Sequence, residues 1–459
     1  MKTPPTTLTD HDIAALGATE GSDSTLALLT AGQHTRRLLL LRVLLDAVDT
    51  ADATPGPAAA LARHHADLLE NAERAAPDAA RRVLFYSLTG PWAERCVKWL
   101  QPGAATAPGD GESAARDIAH LGSLAASAAA HADLSFTTGL TVHDGRVTLP
   151  TLGALRCPAP DGTAVTLTAG TGHLLLRAPG GPTAEILRDP TGAWYSDDPR
   201  WLVPHTLHGG PRPVLLDDLD PGRLANRSGP LAPAERAHWA ALWHDALPLL
   251  GHGGDARAAE LALLDCIVPL SGPPTGVGVN VGASHSSGTS PSAFGAVLAS
   301  TPPTAADLAA GLAHELQHAK LCALTDLVRL HTAGDAPDYW APWRPDPRPF
   351  NGFLHGVYAH LALAGFWQRL ALALDDPAAR DHAWAAHARC HAQVDAVLPV
   401  LRGSRRLTDA GRVFVGAIAA RHEELRDPAP PHGHRIRATA YVETARTLWL
   451  RQHPRRTVT

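Results

Sequence analysis

The nine residues LAHELQHAK, Leu312 to Lys320, carry the spacing H-E-x-x-H. That spacing is useful in one local structure. On an α-helix His314 and His318 stand one turn apart on one face and can hold one ion, whereas on a strand they would lie about 13 Å apart. The flanking residues agree with a helix. Thr304 is a suitable N-cap, Asp307 falls in the first turn, and the apolar pattern runs from Ala305 to about Leu330.

The spacing is that of zinc proteases, in which two histidines bind the metal and the glutamate, here Glu315, is general base on the metal-bound water. Such a site needs a third protein ligand. In the arrangement H-E-x-x-H-x-x-G-x-x-H, glycine and histidine follow the motif, but those positions hold Leu321 and Leu324. A glutamate from a downstream helix is the other common source, and no glutamate occurs between Lys320 and Arg421. What lies downstream is histidine. Phe353 to His360, FLHGVYAH, opens a helix whose His355 is 37 residues beyond His318. His355 and His360 are about 140° apart around that helix, so they do not both face one ion. His355, between Gly352 and Gly356, is the expected third ligand, with His360 second. Three imidazoles with open positions suit zinc hydrolysis and equally iron(II) that activates oxygen. The His-x-Asp signal of other iron oxygenases occurs at His131 and Asp133, at the end of an alanine-rich helix, and is expected to be a decoy. Neither a nucleophile elbow nor a phosphate loop is present.

Histidine is abundant, 26 of 459 residues, so the motif needs this corroboration. A hydrophobic content of 45% with 19% charged residues describes a chain with a real core. A net charge of −5 leaves no basic footprint for nucleic acid. The longest apolar run, Leu38 to Ala47, is half a membrane span and contains Arg42. No signal-peptide pattern opens the sequence, and the five scattered cysteines form no disulfide framework, which together predict a cytoplasmic protein.

Along the chain the period changes twice. Residues 1–135 read as a helical region. Residues 136–230 are β-rich, with five to seven short strands and a hairpin turn at His143-Asp144-Gly145-Arg146, and are a candidate for peptide binding. Residues 231–459 read as the metal-binding catalytic region: a helix from Pro233, strands at Leu261–Leu270, Val277–Val281 and Phe294–Leu298, the motif helix, and further helices. The fold class is α+β, mostly helical with a β-rich middle, and the metal site is expected between the motif helix and the one after it. The polar run SHSSGTSPS, Ser284 to Ser292, is a loop by composition and a second candidate for peptide contact.

The chain resembles the H-E-x-x-H proteins encoded beside ribosomally made, post-translationally modified peptides, some of them fused to radical enzymes. The likeness lies in TRRLLLLRVLLDA, SPSAFGAVLAS, LAHELQHAKLCALTDL and APWRPDPRPFNGFLHGVYAHLALAGFW, the last two being the specific blocks. The resemblance implies an iron(II)- and 2-oxoglutarate-dependent enzyme that hydroxylates the β-carbon of a residue in a precursor peptide. His314, His318 and His355 would hold iron, and Glu315 would orient ligands or substrate from behind them. The far carboxylate of 2-oxoglutarate calls for arginine, Arg348 first and Arg344 second. Tyr339, Trp340 and Trp343 are candidates to wall the substrate groove, with aromatic core packing as the commoner alternative. The precursor peptide is the implied partner, alongside other peptide-maturation enzymes. A zinc metallopeptidase and a non-catalytic peptide-binding maturation partner are the alternatives.

Overall fold

The computed structural model describes residues 7–50, 57–101, 110–221, 230–271, 280–281 and 286–454. Among these, six helices open the chain: α1 (Asp10–Gly17), α2 (Asp23–Thr50), α3 (Pro57–Ala75), α4 (Pro77–Leu84), α5 (Thr89–Trp99) and α6 (Asp110–His131). Short strands follow: β1 (Phe136–Thr141), β2 (Arg146–Leu149), β3 (Gly153–Arg156), β4 (Ala164–Gly170), β5 (His173–Arg177), β6 (Ala184–Arg188), β7 (Trp194–Tyr195), β8 (Trp201–Leu202), β9 (His205–Leu207) and β10 (Val214–Leu216). Then come α7 (Pro233–His252), α8 (Asp255–Glu260), β11 (Cys266–Leu270), β12 (Asn280–Val281), β13 (Ser286–Gly288) and β14 (Ala296–Ser300). Helices α9 (Ala305–Leu327), α10 (Phe350–Ala373), α11 (Pro377–Arg402), α12 (Asp409–Glu424) and α13 (His432–Gln452) complete the chain. The class is mixed α and β, mostly helical, as the changes of period indicate.

Three sheets divide the strands. β1-β4-β5-β6-β7 form an antiparallel meander, β2-β3-β8 a small second sheet, and β12-β13-β14-β11-β10-β9 a third. The expected turn at Asp144-Gly145 forms, both residues having positive φ (49° and 67°) as a tight two-residue turn requires. It does not make a hairpin within one sheet. The strand before it, β1, pairs with β4, while the strand after it, β2, pairs with β3. Strand choice here is set by which face each strand buries, which no turn motif encodes.

The third sheet positions the motif helix. Its centre is parallel, β10 and β14 flanking β11, and β13 returns antiparallel on β14. All five residues of β11, CIVPL, are buried, as a continuous apolar run predicts for a strand covered on both faces. Pro269 is tolerated because β10 pairs only as far as Ile267. The strand is shorter than the expected Leu261–Leu270, since Leu261–Leu263 form a 3-10 turn that buries Leu261 and Leu263. Of the expected strand Val277–Val281, residues 277–279 lie outside the described ones and Asn280–Val281 is strand.

Helix α9 lies between this sheet and α10, and also packs on α7 and α2. It is buried on every side, which explains why its apolar residues form no single stripe. Thr304 caps it, accepting from the backbone N–H of Asp307 (3.1 Å). It ends at Leu327, three residues before the apolar pattern does. Leu330 is buried by tertiary contact instead, its carbonyl accepting from Thr408 N (3.0 Å). The chain start does not stay with the N-terminal helices. Ile13, Leu16, Leu26 and Leu29 join the large core of α7, α9, α10, α11 and α12, whereas α3 to α6 share a separate cluster with the C-terminal half of α2. No helix among the described residues is long and apolar enough to cross a membrane.

Candidate metal centre

One face of α9 and the first two turns of α10 enclose a cavity of about 250 Å³. His314, His318 and Cys322, spaced four apart on α9, line one side. Asn351, Gly352, His355, Gly356 and His360 of α10 line another, and Trp343, Arg344 and Arg348 a third. Thr289 and Pro291, which follow β13, close the rim. The structure thus gathers every residue expected at the metal and cosubstrate positions around one space, with Glu315 behind it.

Both downstream histidines line this cavity. They flank the motif pair from opposite sides. His355 Nδ1 is 3.2 Å from His318 Nδ1, while the His360 ring stands edge-on to His314 with centroids 5.5 Å apart. Burial pulls His314 down to about 3 and both His355 and His360 down to about 4, and takes His318 well below its usual value. All four are therefore neutral near pH 7, the form that carries a lone pair for a metal.

His314 Nε2 and His318 Nε2 are 3.1 Å apart. That is the separation two nitrogens adopt when each lies about 2.0–2.1 Å from one ion. The third donor does not complete the set in this conformation. His318 turns Nε2 to His314 and Nδ1 to His355, so His355 approaches the wrong edge of the ring. Among the described residues no three His, Cys, Asp or Glu donors are grouped to hold an ion. His360 has its tautomer set, since Nδ1 donates to the Gly356 carbonyl (2.8 Å) and leaves Nε2 as the lone-pair nitrogen.

Glu315 is fully buried, and Ser287 on β13 donates its hydroxyl to Glu315 Oε1 (2.7 Å). Burial raises its carboxyl to about 7, opposed by hydroxyl hydrogen bonds from Ser287 and Thr289. The carboxyl thereby ties the strand at the cavity rim to the motif helix. Sequence reading missed Ser287, because SHSSGTSPS looks like a loop; Ser286–Gly288 is strand, and Ser284 and His285 lie outside the described residues.

Two glycines shape the arginine and tryptophan wall. A β-carbon on Gly352 would lie 2.8 Å from Arg348 Nη2, and one on Gly356 would lie 2.4 Å from the Trp343 ring. One turn apart on α10, they form a bare strip on which a guanidinium and an indole lie directly against helix backbone. Trp343 then stacks on His360, centroids 4.4 Å apart. Of the three aromatic residues expected to wall a groove, Trp343 alone lines the cavity. Tyr339 stacks on Phe353 and Trp340 is buried in the core, because the backbone pairing of Tyr339 with Arg348 turns them inward. Gly356→Ala is expected to overpack this contact and lower stability by about 1–3 kcal/mol, read from thermal unfolding. An unchanged melting temperature would mean that the indole moves aside freely.

The remaining polar groups of α9 point away from the cavity. Gln317 donates to Glu260 (2.9 Å) and to the Ala313 carbonyl (3.3 Å), and Lys320 to Glu260 (2.5 Å). His131 bonds Thr151 (2.9 Å) and Asp133 pairs with Arg188 (2.6 Å). All five cysteines are free thiols. In comparisons with known proteins, no family model and no curated protein matches this chain.

Proposed function

We propose that this cavity is the active site of an iron(II)- and 2-oxoglutarate-dependent oxygenase that hydroxylates the β-carbon of a residue in a ribosomally synthesised precursor peptide. The observation that supports it best is the pairing, in one cavity, of neutral histidines with two arginines. A hydrolytic zinc site has no need of the second feature, whereas an oxygenase must hold the far carboxylate of its cosubstrate.

In this reading His314 and His318 supply two donors through Nε2 and His355 rotates in as the third. When bound, iron(II) would let dioxygen, the oxidant, deliver one oxygen atom to the C–H bond and the other to 2-oxoglutarate, which would leave as succinate and carbon dioxide. Arg348 takes the far carboxylate, with Arg344 beside it. Glu315 has no water to deprotonate. It holds β13 against α9 and so keeps the rim residues Thr289 and Pro291 in place over the histidines. Trp343 shields His360 and one wall from water. The peptide approaches from the open side and presents a single side chain, since about 250 Å³ accommodates little more than the cosubstrate and one residue.

One observation favours the zinc peptidase: Glu315 Oε1 is 4.0 Å from His314 Nε2, within reach of a water on a shared metal. Anaerobic titration of the metal-free protein with iron(II) and 2-oxoglutarate separates the two. The oxygenase reading expects a weak visible charge-transfer band that needs both components. Absence of that band, with zinc tightly held by the protein as isolated, would return the motif to hydrolysis.

A further inference from the structure

In Arg344-Pro-Asp346-Pro-Arg348 the acidic residue bears on both arginines. The Asp346 carboxylate holds both of them. Its Oδ1 accepts from Arg344 Nε (2.9 Å) and its Oδ2 from Arg348 Nη1 (3.4 Å). Each of these contacts engages one nitrogen of a planar five-donor fork. The backbone under them has little freedom. Tyr339 and Arg348 exchange both backbone hydrogen bonds (2.9 and 2.8 Å), Arg344 N donates to the Ala341 carbonyl (3.0 Å), and Pro345 and Pro347 restrict φ on either side of Asp346. Gly352 supplies the flat seat beneath Arg348.

Charge points the same way. On this wall two guanidiniums share the Asp346 carboxylate. Both arginine side chains are about three-quarters buried, so this charge is poorly screened by solvent. We infer that Asp346 is a positioning residue: it fixes Arg344 and Arg348 as one clamp, and the clamp receives a small dicarboxylate whether or not a metal is present. The inference rests on reading this cavity as the cosubstrate site and adds that the two arginines act together, through a residue that itself need not touch the ligand.

The test is calorimetric titration of the full-length, metal-free protein with succinate and 2-oxoglutarate, and with acetate as the one-carboxylate control. Both dicarboxylates are expected to bind, and acetate at least about tenfold more weakly. Arg348→Ala and Arg344→Ala should each weaken succinate by about tenfold or more. Asp346→Asn should weaken it by about tenfold, with an unchanged melting temperature, and Asp346→Glu should recover most of the loss. If Asp346→Asn binds succinate as tightly as the parent or more tightly, Asp346 is a competitor for the arginines and the inference is overturned. If the metal-free protein binds neither dicarboxylate, metal-independent reception is overturned. Failure of the oxygenase reading looks different: iron(II) and 2-oxoglutarate then give no charge-transfer band, while succinate binding and its dependence on Asp346 persist.

Discussion

Replacing His318 by alanine is expected to abolish the iron(II)- and 2-oxoglutarate-dependent absorbance band and to weaken iron(II) binding by at least about a hundredfold. Loss of an outer partner of a metal ligand already costs ten- to a hundredfold, and loss of a ligand costs more. The fold should survive, because His318 faces the cavity and the residues that anchor α9 in the core, Leu312, Leu316, Leu321 and Leu324, are untouched. Glu315→Gln is the informative companion. It keeps the histidine pair and therefore the metal, and it removes hydrolysis only if hydrolysis is the chemistry. Competition against a chromophoric chelator measures both variants. Undiminished iron(II) affinity in His318→Ala would remove the motif from the metal site altogether.

Replacing Glu260 by alanine is expected to produce the largest loss of stability, about 3–5 kcal/mol. The reason lies on the side of α9 away from the cavity. Glu260, 1% exposed, accepts from Lys320 Nζ (2.5 Å) and Gln317 Nε2 (2.9 Å) and pairs with Arg257 (3.0 Å). Lys320 also donates to the carbonyls of Thr19 (3.3 Å) and Glu20 (2.9 Å), and Arg257 to that of Thr19. Without the carboxylate two cationic groups remain buried with no countercharge. Burial already brings Lys320 down to about 8, opposed chiefly by Glu260. Because Lys320 is two residues beyond His318, the same network fixes the rotation of the motif helix. Chemical denaturation measures the loss; a change below about 1 kcal/mol would show that the charges relax into water.

Local signals were reliable where local chemistry decides the outcome. Thr304 and Asp307 mark the start of α9, Asp144-Gly145 makes its tight turn, and Pro233 opens α7. His314, His318 and His355, singled out by spacing, line one cavity together with Arg344 and Arg348, which the resemblance implied. Ser287 reads as loop because a short polar strand has no apolar alternation; pairing with Ala299 on β14 makes it a strand. Tyr339 and Trp340 pack in the core, the commoner role of aromatic residues, and only the backbone direction separates them from Trp343 at the cavity. His355 and His360, about 140° apart on α10, meet the motif pair from opposite sides.

By itself the sequence determined the helices, the mixed class, the histidine pair and the arginine-bearing loop, because each depends on residues within a few positions of one another. Tertiary structure decided which strands share a sheet, that residues 10–30 pack into the core around α9, and that Glu260 neutralises charges on the motif helix. It also decided that Gly352 and Gly356 are seats for Arg348 and Trp343. These depend on groups far apart in the chain meeting in a low-dielectric interior, where an unpaired charge or a single misplaced methyl group costs as much as a good share of a fold's net stability.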